Sequence, residues 1–542
     1  MDTAGCATCH REIVEAYRKT GMGRSFTRAA AVEGRFFHQS SGRYYEMNGG
    51  SMSRHQTGFD GKPVNRLERS IDYVIGSGNH ARTFLHRNAD GTLHELPVSW
   101  YSEKGGSFEM SPGYDKPDHD DFRRLIPEDC LFCHNAYPRQ DNPLPEGIDC
   151  QRCHGPASDH KALVNPAKLS RERQMDVCEQ CHLEATSAPL PAVVRRPERA
   201  PFSFRPGEDL TDYALYFDTD LGDRFEVAHQ AYRLRKSACF LKSGMTCTTC
   251  HDPHREQTAE HFVAVCKTCH ATAHKASENC LECHMWRRRT DDVPHVVLTD
   301  HYIQRRKPAV FVAAKFGARV PYAGKPGKPE ALYYQTGMDE SKAGDQPAAI
   351  RAFEEAIRHN DNVGPSRREL AASLLLTGNL TRAVEEGEKL PNDSLALTNL
   401  GNAYLQLGRL EDARRVLEKA APEQPAAANL LGLTLLRAGD TPGAEKAFRD
   451  ALNQQPDLAE ANNNLGNLLA ARHDYAEAAW YFGKAIESNP NYVDARHSYG
   501  LVLALTRNFA KARLQLEEAL RLAPNSAEIR GDLDDVRRSL HK

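Results

Sequence analysis

The chain has 542 residues, a formal net charge of −3 at pH 7 and 40% hydrophobic residues. This length exceeds that of one ordinary domain, so we expect at least two domains. The near-neutral charge gives no indication of nucleic-acid binding, and no apolar stretch is long enough to span a membrane.

The pentad Cys-x-x-Cys-His occurs seven times in the first 284 residues. Two thiols three positions apart can each form a thioether bond with one vinyl group of the same porphyrin, and the histidine that follows becomes the proximal iron ligand. The pattern therefore predicts seven covalently bound haem c groups. The attachment cysteines are Cys6, Cys9, Cys130, Cys133, Cys150, Cys153, Cys178, Cys181, Cys247, Cys250, Cys266, Cys269, Cys280 and Cys283. The proximal ligands are His10, His134, His154, His182, His251, His270 and His284.

Two other uses of cysteine compete with haem attachment. Paired Cys-x-x-Cys motifs also build tetrahedral zinc sites, but zinc has no use for a histidine after every second cysteine. Disulfides are the weaker alternative, because the seven motifs use fourteen of the fifteen cysteines and leave Cys239 without a partner. Cys239 is either a shielded free thiol or a residue acting directly at an iron.

The first motif begins at Cys6, and no signal peptide precedes it. Cytochrome c maturation takes place outside the cytoplasm in bacteria and archaea. We therefore expect a periplasmic or extracellular protein whose signal peptide has been removed.

A β-rich insert is predicted over residues 35–115, where no motif occurs. The predicted strands are Tyr44–Met47, Ser70–Ile75, Arg82–His86 and Leu93–Trp100. The turn at residues 88–91 predicts a hairpin between the last two strands. The rest of residues 1–310 should be an α-rich heptahaem domain, followed by a Pro/Gly/Lys linker over 311–331.

From residue 332 cysteine disappears, and prolines, glycines and alanines each recur every 34 positions. The series are Pro422, Pro456, Pro490 and Pro524; Gly432, Gly466 and Gly500; and Ala444, Ala478 and Ala512. This periodicity resembles that of the tetratricopeptide repeat, a hairpin of two helices that cross closely at small side chains. Counting turn glycines backward predicts six repeats over residues 332–542, with a capping helix at 526–541. The resemblance implies an all-α solenoid that presents a concave groove to a protein partner, or that serves as a spacer or lid.

The second axial ligand of each iron decides whether a haem can bind a substrate. Histidines outside the motifs number thirteen in this half of the chain, which is enough for every iron. Position near a motif favours eight of them as distal ligands: His38, His80, His119, His160, His254, His274, His295 and His301. His254 is too close to its own motif to reach the far side of that iron, so it should reach a neighbouring haem.

Residues 4–305 resemble the multihaem cytochromes related to the tetrahaem nitrification cytochrome and hydroxylamine oxidoreductase. The resemblance rests on an early CxxCH, a long gap, clustered later motifs, and the phrases CHGPASDH at 153–160 and CHDPH at 250–254. Family members carry an axial histidine where this chain has Met22, which is therefore either a thioether ligand or a buried methionine. The chain has no CxxCK motif, so the resemblance does not imply the chemistry of the lysine-ligated reductases.

Motifs separated by 14 to 28 residues force neighbouring porphyrins together. We therefore expect a carrier that passes electrons along packed haems, with the repeats docking a redox partner or another copy, including copies in a filament. The alternative is an oxidoreductase with one open haem acting on a small nitrogen or sulfur compound. A pure interaction scaffold with structural haems is the third possibility.

Overall fold

The chain divides into two compact units. Unit 1 comprises Met1–Arg54 and Glu68–Gly327, and unit 2 comprises His55–Leu67 and Lys328–Lys542. The computed structural model describes residues 3–57, 61–88, 91–117, 119, 121–156, 162–183, 193–196, 198–219, 222–270, 279–293, 295–311, 319–325 and 332–540.

The first half of the chain alternates short helices with short strands. Its helices are α1 (Thr3–Tyr17), α2 (Glu128–His134), α3 (Gln151–His154), α4 (Arg171–His182), α5 (Gln230–Arg235), α6 (Ala238–Lys242), α7 (Ala259–Cys269) and α8 (Cys280–His284). Its strands are β1 (Phe26–Arg28), β2 (Gly34–His38), β3 (Arg43–Asn48), β4 (Ser51–Thr57), β5 (Pro63–Ser70), β6 (Tyr73–Ile75), β7 (Ala81–Arg87), β8 (Leu93–Tyr101), β9 (Ser107–Met110), β10 (Val193–Arg195), β11 (Ala214–Thr219), β12 (Arg287–Arg289), β13 (Val297–Thr299) and β14 (Arg319–Pro321).

The strands form four sheets. A five-stranded antiparallel sheet has the order β1-β6-β7-β8-β9, and a four-stranded sheet has the order β2-β3-β4-β5. The predicted hairpin is confirmed, because β7 pairs with β8 from Ala81↔Tyr101 to Arg87↔Leu93. The predicted strand Ser70–Ile75 is divided between β5 and β6. Smaller sheets join β10-β11-β14 and β12-β13.

Two expectations about this half need correction. Strands are as prominent as helices in its described part, so the predicted α-rich fold with a small β insert is replaced by sheets with some helices. The predicted linker 311–331 is also not continuous, because β14 pairs with β11 and Tyr322 joins the core. Pairing of three residues with a distant strand was not visible in a Pro/Gly/Lys-rich sequence.

The core of unit 1 is rich in aromatic side chains. Phe26 and Tyr73 from the five-stranded sheet belong to the same buried cluster as Phe132 of α2 and Met175 of α4. Burial of apolar surface therefore holds the motif-bearing helices against the sheet. Cys133, Cys181 and Cys247 pack against the edge of this cluster.

Residues 332–540 contain thirteen helices in antiparallel succession. They are α9 (Leu332–Ala343), α10 (Gln346–Arg358), α11 (Val363–Leu376), α12 (Leu380–Gly387), α13 (Ser394–Gln406), α14 (Leu410–Ala420), α15 (Pro425–Arg437), α16 (Thr441–Gln454), α17 (Ala459–Ala471), α18 (Tyr475–Ser488), α19 (Val493–Leu505), α20 (Phe509–Leu522) and α21 (Ala527–Leu540). The first twelve form six hairpins, and α21 follows them.

A glycine in the first helix of a hairpin receives a large side chain from the second helix. A Cβ atom at Gly432 would lie 2.5 Å from Phe448 Cε1. Five hairpins use this close contact, each with the partner sixteen positions later: Gly337 with Phe353, Gly401 with Leu417, Gly432 with Phe448, Gly466 with Phe482, and Gly500 with Leu516. The contact explains why small residues recur with the repeat period.

Candidate haem-attachment sites

Each motif lies on or beside a helical turn, which places its two thiols on one face. The first motif lies within α1, the second ends α2, the fourth ends α4 and the seventh forms α8. The third begins one residue before α3, the fifth includes the 3₁₀ turn Cys247–Thr249, and the sixth ends one residue after α7. All fifteen cysteines carry free thiols, so the cysteine pairs meet the covalent requirement of the predicted attachment.

Thiols of different motifs lie next to each other. Interaction with the neighbouring Cys181 thiol raises the pKa of Cys133 well above its usual value, and the Cys247 thiol affects Cys178 in the same way. Burial, together with the neighbouring Cys280 thiol, raises the pKa of Cys266 to about 11. Electrostatic interactions also link Cys153 of the third motif to Cys181, and Cys250 of the fifth motif to Cys266. The thiols of the second to seventh motifs therefore form one series.

Several motif histidines are held by a hydrogen bond to Nδ1. His154 Nδ1 lies 2.9 Å from the carbonyl oxygen of Val164, and His284 Nδ1 lies 2.5 Å from that of Gln304. Because a carbonyl oxygen can only accept, Nδ1 carries the proton and Nε2 keeps its lone pair. Metal-binding histidines are commonly oriented in this way.

His134 is different, because its buried Nδ1 has no hydrogen-bond partner in the described part of the chain. Burial lowers its pKa to about 4, so the imidazole is neutral at pH 7. His182 Nδ1 lies 3.1 Å from Gln230 Oε1, and burial lowers its pKa as well. Neutral imidazole is the form that binds a metal.

Two motif histidines face predicted distal ligands. The ring centres of His154 and His254 lie 6.2 Å apart with an interplanar angle of 16°, and those of His251 and His301 lie 6.1 Å apart at 26°. Imidazoles on opposite sides of one metal, with bonds of about 2.0 Å, put their ring centres roughly 6 Å apart. The donor set and its spacing therefore fit an iron held between each pair.

The two distal members have hydrogen-bonding partners that suit this role. His301 Nδ1 lies 3.1 Å from the Thr299 carbonyl oxygen, and burial lowers the pKa of His301 to about 4. His254 Nδ1 lies 3.3 Å from Asp252 Oδ1. In both residues the interaction engages Nδ1, as it does in His154.

His38 and His119 lie in a polar cluster of the sheets. His38 Nδ1 is 2.8 Å from Ser41 Oγ, and its Nε2 is 3.1 Å from Asp115 Oδ1. His119 accepts a hydrogen bond at Nδ1 from the Asp121 backbone, and its Nε2 lies 3.1 Å from Arg43 Nη1. Both nitrogens of each ring are engaged there, and the assignment of these histidines to irons stays a prediction.

The other predicted distal ligands are not brought to a motif histidine by any described contact. His80 is exposed in the bend before β7, and the His295 ring lies 5.1 Å from that of Tyr101. His160 and His274 lie outside the described residues. Met22 is half-buried, and its carbonyl oxygen accepts a hydrogen bond from the Ile148 backbone. Cys239 is half-buried on α6, so both alternatives for these two residues stay open.

A buried ionic network supports the fourth motif. Glu179, a variable residue of that motif, lies 2.5 Å from Arg235 Nε and 3.1 Å from Lys325 Nζ. Lys325 also pairs with Asp176 one turn earlier on α4. This network is not predictable from the sequence, because Lys325 lies in the predicted linker and no local pattern connects it to α4.

A cavity of about 310 Å³ lies at the fifth motif. It is lined by Thr248, Thr249, Cys250, His251, Asp252, Pro253 and His261. The void therefore adjoins both a predicted attachment cysteine and a predicted iron ligand. A zinc site needs several His, Cys, Asp or Glu side chains that converge on one metal ion. Over the described part of the chain, no group of three such side chains is arranged in this way.

Within the described ranges, no helix combines the length and the apolar character needed to cross a bilayer.

Comparisons with known proteins concern the repeats. Residues 334–394, 386–428, 398–459, 429–485 and 463–527 each match the family model of the tetratricopeptide repeat. No curated protein sequence matches the chain.

Among solved structures, the chain is similar to the APC/C hetero-tetramer Cut9-Hcn1, with 21% identity, a TM-score of 0.35 and coverage of 38% of this chain. It spans 43% of the length of that protein. A thermophilic TPR protein of Thermus thermophilus has 26% identity, a TM-score of 0.29, and coverage of 32% of this chain and 99% of its own. MamA from Desulfovibrio magneticus has 25% identity, a TM-score of 0.27, and coverage of 30% and 98%. By the family matches and the helical hairpins together, the C-terminal region is an all-helical tetratricopeptide-repeat solenoid.

Proposed function

We propose that the chain is a multihaem c-type cytochrome that carries electrons and docks a protein partner through its solenoid. The observation that carries the proposal is the facing of His154 with His254 and of His251 with His301. Each pair joins a motif histidine to a predicted distal ligand from another part of the chain. An iron with two imidazole ligands has no open position for a substrate, which favours electron transfer over catalysis.

Haem c bound at these motifs would supply reversible one-electron exchange between Fe(III) and Fe(II). The carbonyl groups of Val164 and Thr299 hold the protons of His154 and His301 on Nδ1, which leaves Nε2 as the donor atom. Fixed ring orientations reduce the rearrangement that accompanies each electron. The side chains thus provide rigid axial ligation rather than substrate chemistry.

The thiol contacts between motifs support transfer from one site to the next. Cys133 meets Cys181, and Cys178 meets Cys247. These cysteines would hold porphyrins close enough to exchange electrons. The electrons would come from one external redox protein and leave to another, or pass to a second copy of the chain. On this proposal the mature protein works in the periplasm or outside the cell.

The repeat solenoid indicates protein–protein interaction. We propose that it binds a redox partner or another copy of the chain. A cavity of about 560 Å³ in unit 2 offers one candidate contact region. Its lining includes Arg368, Lys389 and Asp393, which would suit a polar segment of the partner.

The first test is the haem content of protein matured in a host that attaches haem. Its intact mass should exceed that of the polypeptide by seven haem masses, and a smaller increment would contradict the full set of seven. Electron paramagnetic resonance of the oxidised protein should show low-spin iron, and the reduced protein should bind little carbon monoxide. A strong high-spin signal with prompt carbon monoxide binding would favour the open-haem oxidoreductase instead.

Two substitutions test the ligand pairs directly. His254→Ala and His301→Ala should each convert one haem to a high-spin form that binds carbon monoxide, while all seven haems stay attached. His261→Ala is the matched control, because His261 lies at the same cavity and its Nε2 contacts the Cys250 carbonyl oxygen instead of a facing imidazole. Unchanged spectra in both ligand variants would contradict the proposed pairs.

A further inference from the structure

Arg152 is a buried cation inside the third motif. Its side chain is 1% exposed, and its guanidinium carbon lies 4.1 Å from the ring centre of Phe132, 4.8 Å from that of Tyr137 and 5.3 Å from that of Phe202. These three rings, which we call the aromatic cage, cover the charge with their electron-rich faces. The cage replaces water around the guanidinium.

The hydrogen bonds of Arg152 leave much of its charge uncompensated. Nη2 donates to the Phe132 carbonyl oxygen at 2.8 Å, whereas Nε and Nη1 have no hydrogen-bond partner among the described residues. Other buried arginines of unit 1 are paired with carboxylates. Arg233, for example, pairs with both Asp300 and Asp223. The carboxyl group of Asp149, one residue before the motif, interacts with the Arg152 charge through space, but among the described residues neither Nε nor Nη1 of Arg152 has a partner.

Three motifs meet around this charge. Phe132 belongs to the second motif, and Gln180 of the fourth motif donates from Nε2 to the Arg152 carbonyl oxygen at 3.2 Å. The positive charge of Arg152 has a lowering effect on the pKa of three thiols, Cys133, Cys153 and Cys181. These thiols belong to the second, third and fourth motifs. The charge therefore lies among three predicted haem-attachment points.

We propose that Arg152 is a fixed positive charge that raises the reduction potentials of the haems attached at the second, third and fourth motifs. Oxidation adds a positive charge to an iron, so a nearby cation disfavours the oxidised state. The effect is strong in a dry, low-dielectric site and weak in water. Because the aromatic cage excludes water, Arg152 is placed where one charge acts most strongly. The inference rests on the proposed haem attachment.

The test is a spectroelectrochemical titration of the full-length, haem-loaded protein. Arg152→Gln removes the charge and keeps a side-chain N–H donor, so part of the titration curve should move to lower potential. The expected shift is at least tenfold in the ratio of oxidised to reduced haem at a given potential, which is about 59 mV for one electron. Arg152→Lys keeps the charge and should retain most of the wild-type curve.

Arg409→Gln is the matched control, because Arg409 also lies over an aromatic ring, that of Tyr404, within the cysteine-free solenoid. It should leave the curve unchanged. Phe132→Leu gives an independent test that keeps Arg152, since opening the cage to water should weaken the charge and lower the same potentials. This variant also serves if Arg152→Gln fails to fold.

The possible outcomes separate the two proposals. Absence of covalent haem from the wild-type protein would contradict the proposed function. Haem-loaded Arg152→Gln or Phe132→Leu protein with unshifted potentials would overturn the role of Arg152 and leave the cytochrome proposal standing. An equal shift in Arg152→Lys and Arg152→Gln would also overturn it, because charge would then not be the cause.

Discussion

Replacing Gly432 with alanine should destabilise the solenoid, although alanine is the better helix former. A Cβ atom there would lie 2.5 Å from Phe448 Cε1, whereas carbon atoms in contact lie about 3.5–4.0 Å apart. Phe448 is fully buried, and close packing around a buried ring resists its displacement. Overpacking costs about 1–3 kcal/mol, and an overlap of about 1 Å favours the upper value. The higher helix propensity of alanine stabilises the solenoid by about 1 kcal/mol, so the free energy of unfolding should fall by about 2 kcal/mol in total.

Gly483 on α18 is the matched control, since no atom from another part of the chain lies within 4 Å of a Cβ built there. Gly483→Ala should therefore stabilise the solenoid by about 1 kcal/mol. Urea unfolding of residues 332–542, followed by helical circular dichroism, measures both variants and tests whether this part folds alone. A Gly432→Ala protein as stable as the wild type would refute the packing argument, and a fragment without cooperative unfolding would refute independent folding.

Three further predictions concern buried groups. Burial raises the pKa of Glu95 to about 7 despite the neighbouring Arg124, so the free energy of unfolding of unit 1 should fall by up to about 3 kcal/mol as pH rises from about 4.5 to 7. Thermal melts of Glu95→Gln should lack this dependence on pH, and an unchanged dependence would contradict the role of Glu95. Lys325→Met should lower the free energy of unfolding by about 3 kcal/mol, because it removes a cation shared by Asp176 and Glu179. Urea unfolding measures this change, and a loss below about 1 kcal/mol would show that the remaining arginines compensate the two carboxylates. Phe482→Ala should lower the free energy of unfolding of the solenoid by about 3–5 kcal/mol in the same assay, because it leaves a cavity beside Gly466. A smaller loss would mean that the surrounding helices move in to fill the cavity.

The solenoid could be predicted closely because one local pattern repeats. Helix α9 begins at Leu332 and α21 spans Ala527–Leu540, and the helices between them follow the repeat. The turn glycines Gly344, Gly378, Gly408 and Gly439 all adopt positive φ, as a tight connection between helices requires. Each feature depends on residues within one repeat.

The sheets were harder to predict, because β5 contains mostly polar residues and lacks a clear alternation of apolar side chains. Its assignment depends on pairing with β4, which the sequence does not display. The short strand β14 was missed for the same reason. Strand pairing between distant segments is a tertiary property.

The Cys-x-x-Cys-His motifs were visible in the sequence because all five residues are adjacent. The facing of His154 with His254 joins positions one hundred residues apart, so the sequence predicted only that His254 should reach a neighbouring haem. Arg152 occupied a variable position of its motif and carried no signal of burial. Its environment depends on three aromatic side chains from distant positions.

The contacts between thiols of different motifs also constrain how the protein could mature. Disulfides form readily in an oxidising compartment, and Cys133 lies beside Cys181 while Cys178 lies beside Cys247. A disulfide between either pair would remove one attachment thiol from each of two motifs. On the proposed function, oxidation of a folded chain before haem attachment would therefore disable sites in pairs, so haem must reach these cysteines while they are still reduced.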